Sequence, residues 1–386
     1  MSNKSKYDVI VVGAGLIGAV FALRLAQSSD YRILVIERAE RISSNLMPNQ
    51  RVLALGDVAT TALKSIGVFD KLQASDCYPY SRMFVWDDCS AGELEFTSKD
   101  YQRESLGHMV DAVSLTMLLQ QAMDEHALIT VNYQLAIDDL SLGTNNASIG
   151  ENEAPLIVAA DGANSWCRRK AKIFANKTIY QQKGIVARIQ TEMSHEDTAW
   201  QAFLPTGPLG LLPLNNNQCS IVWSADSDKA EQLLAYSDAD FADALAQAIQ
   251  GRLGKVELLS PRQTFPLLSM KAETYFKHRL VLIGDAAHSI HPLAGQGANL
   301  GFKDVEALVG QLVSVEKPNS LGDLDVLSRY QRSRKADNEQ TDWFMSAIYK
   351  AYQNDSGWWP AMRGSGMNWL SGSKRLKSIL AKQAIG

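Results

Sequence analysis

Apolar residues come first in unbroken runs and later in alternation, and the change divides the chain. Asp8–Val12 carries a continuous apolar run, as a strand buried on both faces does. Gly13-Ala-Gly-Leu-Ile-Gly18 follows, then Ala19–Gln27 at helical spacing, then a second run, Arg32–Ile36, ending at Glu37. This order predicts a β-α-β start. Leu156–Ala160, ending in Asp161-Gly162, and Leu280–Ile283, ending in Gly284-Asp285, read as further buried strands. All are expected in one sheet of a discontinuous, Rossmann-like α/β domain.

Between these runs the texture differs. Gly184–Gln190, Trp200–Leu204, Gly210–Leu214 and Cys219–Ser224 are rich in β-formers and separated by turn residues such as Asn215-Asn216-Asn217. They predict an inserted antiparallel β-sheet, with residues 79–97 as a further piece of it. Residues 227–252 have helical spacing. From Asp323 the chain reads as a polar helical region, with a Gly- and Trp-rich interruption at 357–372. The strand pairing of 140–155 stays open.

A chain of 386 residues exceeds the usual span of one core, so two domains are expected. Apolar residues make up 46% and charged residues 21%, an ordinary soluble composition. The net charge of −4 provides no basic footprint for nucleic acid. Cys77, Cys89, Cys167 and Cys219 form no C-x-x-C pair and no zinc spacing, so they read as reduced, mostly buried thiols, with no metal site. The longest apolar run, Val9–Leu23, is shorter than the ~20 residues of a membrane span and contains three glycines. It reads as soluble structure, with no targeting segment.

The G-x-G-x-x-G lies after a strand and opens a helix. Gly13 allows the tight turn, Gly15 lets backbone approach a pyrophosphate, and Gly18 allows close helix–strand packing. Glu37 ends the second strand at the spacing of an acid that binds a ribose hydroxyl. This loop does not separate NAD from FAD. Three features favour FAD. A second G-x-G-x-x-G is absent. Asp161-Gly162-Ala163-Asn164-Ser165 with Arg168 follows a mid-chain strand. Asp285 follows another, ahead of the glycine-rich Pro292–Gly301. A flavin needs its pyrophosphate, ribitol and ring held at separate places. A glycine-lined helix start can offer N–H groups where negative charge develops on its ring.

These segments, together with Arg51 in RVLAL, DGANSWCRR at 161–169, WQAFLPTGPLGLLPL at 200–214, IVWS at 221–224, RQTFPL at 262–267, GDAAHSIHPLAGQGANLGFKD at 284–304 and YQRSRKADN at 330–338, span most of the chain. They resemble the class A FAD-dependent aromatic monooxygenases of the para-hydroxybenzoate hydroxylase fold, and within them the ubiquinone-biosynthesis hydroxylases of the 2-octaprenylphenol hydroxylase type. The resemblance implies an FAD-binding domain from 1–75, 100–178 and 275–325, a substrate-binding β-sheet domain from 76–99 and 179–274, and a C-terminal helical region from 326–386. It implies FAD contacts from Gly13, Gly15, Gly18, Glu37, Arg38, Arg51, Asp161, Gly162, Asp285, Gly295, Gly297, Ala298 and Asn299. Pro292 and His291 would lie at the reacting ring, and Gln201, Phe203, Leu212 and Trp223 would line the substrate cavity. The family's Glu-Asn pair is replaced by Asp111-Ala112, so no FAD contact is carried over there.

The implied activity is hydroxylation of a polyprenylated phenol in ubiquinone biosynthesis, at ring C5, with NAD(P)H as reductant and O2 activated as a flavin C4a-hydroperoxide. The cofactor carries that chemistry. Ring C6 and C1 paralogues, a lipid-directed flavin dehydrogenase or reductase, and a non-catalytic assembly subunit are the alternatives. The implied location is cytoplasmic and peripheral at the membrane, with other ubiquinone-biosynthesis proteins as partners.

Each residue also has a plainer role. His288 reads as a structural histidine bonding nearby backbone, and Trp166 as packing. Arg168 is either an ion-pair residue or a cofactor contact. Residues 356–386 carry Trp358, Trp359 and Trp369 with Arg363, Lys374, Arg375, Lys377 and Lys382, and no acid. That tail fits a membrane-interface segment or a solvated helix packing its tryptophans on the body.

Overall fold

In the computed structural model, which describes residues 5–43, 51–289, 297–353 and 357–372, the first glycine loop leaves the middle of a six-stranded sheet. The strand order is 276–277, 280–282, 156–159, 9–12, 33–36, 129–132. Every pairing is parallel except the edge hairpin Phe276–Lys277. Val9–Val12, Ile33–Ile36, Leu156–Ala159 and Leu280–Leu282 are buried at every position, which explains their unalternating apolar sequence. Helix α1 (Leu16–Ser28) packs against both α2 (Ala112–Asp124) and α3 (Gly297–Val313), and all three share one core with the sheet. The chain reverses its winding between Val9–Val12 and Leu156–Ala159. Open sheets of this kind bind ligands at that point, beyond the strands' carboxyl ends.

The second sheet runs in the order 288–289, 263–272, 175–191, 218–226, 207–213, 198–204, 82–87, 93–97. It is antiparallel except that Thr198–Leu204 runs parallel to Arg82–Asp87. This corrects the purely antiparallel expectation: the two strands come from distant parts of the chain, so no hairpin constrains their direction. Its outer face packs Ile185, Leu211, Ile221 and Trp223 against Leu233, Phe241 and Leu245 of helices Ser227–Ala235 and Asp238–Ala248. Its inner face packs Phe203, Leu212 and Leu214 with Met345, Ile348 and Tyr352 of α4 (Leu324–Gln353) and Met367 of α5 (Trp359–Gly372).

Residues 77–80 leave the second sheet for a small one with Val52–Leu55 and Gly107–Asp111. The open 140–155 region forms a four-stranded sheet with Ser5–Lys6. The interruption expected at 357–372 is instead helix α5. Gly364 serves close packing: a Cβ on it would come within 2.6 Å of Ser90 Oγ, and one on Gly92 of the facing strand hairpin within 2.7 Å of Gly364 Cα. Tertiary contact overrides the low helix propensity of glycine. All four cysteines are free; Cys167 and Cys219 are buried and Cys89 is exposed.

Candidate functional site

The three glycines of the first loop do different work. Gly13 has φ +107°, and a Cβ there would lie 2.5 Å from the Ala160 carbonyl oxygen. A Cβ on Gly18 would lie 2.0 Å from the Gly13 carbonyl oxygen. The protein itself demands these two. A Cβ on Gly15 would meet nothing within 4 Å, so its bareness leaves space for a ligand. Gly15 also N-caps α1 without any side-chain cap, and the helix's first turn has no acid. Free N–H groups at a helix start suit a pyrophosphate. Glu37 stands beside them, accepting from Ala14 N–H at 2.7 Å and Ala39 N–H at 2.8 Å. Arg38 follows on the surface.

Asp161 enters the same crevice, its backbone N 3.2 Å from where a Gly13 Cβ would stand. One oxygen accepts from Trp166 and Cys167 N–H at 2.7 and 3.0 Å. The other is buried with no partner, an acceptor left over for a bound group. Gly162 has φ +78° and open space beside it. Trp166 packs against the core. Arg168 donates to the carbonyls of Ala286 and Ala163 at 2.6 and 2.7 Å. It therefore ties the Asp161-Gly162 segment to the Gly284-Asp285 turn through backbone carbonyls, a role outside both readings of it.

Asp285 is accessible to solvent but closely walled by protein. Desolvation raises its pKa, partly offset by the nearby Arg51 and His288 charges. The turn's other anchor is Asp304, buried in α3, which meets His288 Nε2 at 2.6 Å. Burial works to raise the pKa of Asp304, and His288 and Arg334 outweigh it, so the net shift is downward. His288 is thus structural, but it bonds a carboxylate rather than backbone. The imidazole adds to the Gly284 N–H and Arg334 contacts that compensate the buried carboxylate.

At the start of α3, Gly297 faces open space. Asn299 clamps this helix to the Val52–Leu55 segment, accepting from Gly56 N–H at 3.0 Å and donating to Ala54 O at 2.9 Å. Ala298, between them, is half-buried against the core. His291, Pro292 and Gly295 lie outside the described residues. Asp111 is fully engaged: one oxygen caps α2 at Val113 and Ser114 N–H, and the other pairs with Arg188 at 2.7 Å.

Of the four residues expected to line a substrate cavity, Gln201, Phe203 and Leu212 are on the inner face, where Phe203 stacks on Tyr352 at 3.9 Å. Trp223 points to the other side of the sheet, 5.8 Å from Phe241, and so does not share a face with them. Of the tail's basic residues, Lys374, Arg375, Lys377 and Lys382 lie outside the described residues. Arg363 is turned inward onto Asp87 and the Ala351 carbonyl, and Trp359 donates to that same carbonyl. Trp358 and Trp369 are 67% and 68% exposed. Among the described residues no helix is long and apolar enough to cross a membrane.

A doubly wound sheet whose strand ends offer a bare helix start, an acid at the second strand and an unpaired aspartate oxygen defines a dinucleotide-binding protein. Residues 6–342 match the FAD binding domain family, to which the chain belongs. Among curated relatives, the chain is 34% identical to 3-demethoxyubiquinol 3-hydroxylase of Escherichia coli, over 98% of both chains. It is 30% identical to the mitochondrial ubiquinone biosynthesis monooxygenase COQ6 of Danio rerio, over 87% of this chain and 81% of the relative. The fold is shared with p-nitrophenol 4-monooxygenase PnpA of Pseudomonas putida DLL-E4 (TM-score 0.80, 16% identity, 99% of each chain). It is also shared with PqsL of P. aeruginosa in complex with 2-aminobenzoylacetate (TM-score 0.77, 19% identity, 94% of this chain and all of that one). The protein is an FAD-dependent monooxygenase related to the ubiquinone-biosynthesis hydroxylases.

Proposed function

We propose that the protein hydroxylates the aromatic ring of a polyprenylated phenol on the path to ubiquinone, with NAD(P)H as reductant. The observation that carries this reading is the match to 3-demethoxyubiquinol 3-hydroxylase over 98% of both chains. The packed apolar cluster of Phe203, Leu212, Leu214, Met345 and Tyr352 on the inner face of the second sheet is the wall against which an apolar ring with a hydrocarbon tail would lie. FAD, when bound, supplies electron transfer and O2 activation. The α1 start at Gly15 holds the pyrophosphate, Glu37 a ribose hydroxyl, Asp285 the ribitol side, and Gly297–Asn299 the ring end. Arg51 offsets charge beside Asp285. The wall orients the phenol and excludes water.

Ring C5 is our first reading. A second, a demethoxyubiquinol, is favoured by the length and identity of the match to 3-demethoxyubiquinol 3-hydroxylase. The experiment is incubation of FAD-loaded protein with NADH or NADPH, labelled O2 and each candidate, followed by mass spectrometry. One labelled oxygen on the ring supports the reading and identifies the position. NAD(P)H turnover without O2 would favour a dehydrogenase instead. Flavin that resists reduction with substrate present would favour an assembly subunit. We extend the proposal to peripheral contact with an anionic membrane through Trp358, Met362, Trp369 and the basic residues that follow.

A further inference from the structure

Asp304 is fully buried, and no step of the hydroxylation uses it. A carboxylate removed from water is costly unless charge and hydrogen bonds surround it, and an apolar residue would pack there as well. Its partners explain its presence. One oxygen accepts from Gly284 N–H at 3.0 Å and meets His288 Nε2 at 2.6 Å; the other accepts from Arg334 Nε at 2.9 Å. Gly284 and His288 bracket Asp285. Arg334, on α4, is held in turn by Asp337 at 2.6 Å and Asn338 at 2.7 Å, and Asn338 donates to the Tyr275 hydroxyl at 3.3 Å.

The two ends of this turn belong to different sheets. Gly284, at φ +56°, follows the Leu280–Leu282 strand, while His288 pairs with Lys271 in the second sheet. The Asp304 carboxylate touches both ends. The helix that supplies Arg334 also supplies Met345 and Tyr352 to the apolar wall.

We propose that Asp304 is a positioning residue: its carboxylate, held by Arg334, fixes the 284–288 turn so that Asp285 meets the FAD. This rests on the placement of Asp285 in the cofactor site. An asparagine at 304 keeps the volume but cannot accept from the turn with one atom and from Arg334 with the other, because its amide nitrogen only donates.

The test compares Asp304→Asn, Asp285→Asn and Leu327→Ala, the last removing a buried apolar side chain of α4, the helix that supplies Arg334. The readouts are the FAD dissociation constant from flavin fluorescence, the visible circular dichroism of bound flavin, and thermal unfolding of the apoprotein. Asp304→Asn should raise the dissociation constant about tenfold and alter the flavin dichroism, whereas Leu327→Ala should lower the melting temperature and change neither. If Asp304→Asn does not fold, His288→Asn removes one arm alone and should raise the constant about threefold. Parent-like FAD binding in the variant that folds, or the same change in Leu327→Ala, would overturn the inference. If Asp285→Asn weakens FAD and Asp304→Asn does not, only the inference falls. If neither does, the placement of the turn falls with it.

Discussion

Ile17 and Gly301 interlock. Ile17 comes from the first glycine loop and Gly301 from the second glycine segment, and a Cβ on Gly301 would stand 2.6 Å from Ile17 Cδ1. The same side chain lies 3.2 Å from where a Gly284 Cβ would be. One apolar side chain therefore sets the spacing of the two glycine segments. In an ordinary helix interior, glycine to alanine gains about 1 kcal/mol. Here Gly301→Ala should cost about 1–2 kcal/mol by overpacking. Ile17→Ala in the same chain should recover most of that. Urea unfolding of the three variants checks this, and a stabilised Gly301→Ala would show the interlock to be loose.

Gly15→Val separates binding from folding. Its backbone is in an ordinary region, φ −72°, and nothing crowds the site. Apoprotein stability should change by less than about 1 kcal/mol, the scale of a helix-cap substitution. FAD affinity should fall more than about a hundredfold, because the branched side chain fills the path of the pyrophosphate. Titration calorimetry with FAD beside thermal melts reads both quantities. Retained affinity would move the pyrophosphate away from this loop.

Asp285 sets up an exchange between stability and binding. Its folded-state pKa is raised by desolvation, so the folded apoprotein holds this proton more tightly than the unfolded chain does. The corresponding stability is complete below the unfolded pKa and is lost as pH rises through the folded one. At neutral pH the ionised carboxylate is a net cost to the empty fold. Asp285→Asn should therefore leave the apoprotein as stable as the parent at pH 7, or more stable. It should remove the parent's loss of stability just above the ordinary aspartate range, and it should weaken FAD. A variant that melts earlier at pH 7 would contradict the sign.

These expectations show how far the sequence reaches. The buried strands were legible because both faces are covered and the apolar runs are unbroken, and the Gly13–Gly18 loop because its spacing is local. Asp304 and Arg334 were not, since their meaning depends on a contact between two helices. The signal available was a charge at a helix position flanked by the apolar Phe302, Val305 and Leu308. Trp223 could not be placed because strand alternation identifies two faces without saying which one meets the cofactor. Helix α5 was hidden by glycines that read as breakers, and the packing of Gly364 against Ser90 and Gly92, which outweighs that propensity, is a tertiary contact.

Phe203 tests the wall. Its ring stacks on Tyr352, so Phe203→Ala should cost about 3 kcal/mol of stability. Phe203→Leu retains most of the volume and is the cleaner probe. It should raise KM for a polyprenylated phenol severalfold and release more NAD(P)H oxidation without product, while FAD content stays at the parent level. The ratio of product to NAD(P)H consumed measures this. Unchanged KM and coupling would remove this face from the substrate site.

The C-terminal surface makes a separable prediction. Met362 and Trp369 are exposed at a seven-residue spacing on one side of α5, Trp358 is exposed in the turn just before it, and Lys374, Arg375, Lys377 and Lys382 follow in the sequence without an intervening acid. Tryptophan favours the lipid headgroup region, and each basic residue near an anionic surface contributes about 1 kcal/mol. Arg363 is excluded from that sum, because it is spent on Asp87. The full-length protein should therefore sediment with phosphatidylserine vesicles and not with neutral phosphatidylcholine ones, and raised salt should release it. Trp358→Ser with Trp369→Ser should weaken sedimentation while hydroxylation of a short-chain, water-soluble phenol persists. Arg363→Gln should instead lower the melting temperature, by leaving the buried Asp87 carboxylate without its cation. Parent protein that ignores both vesicle types would leave α5 as a solvated helix, with its exposed tryptophans unrelated to lipid.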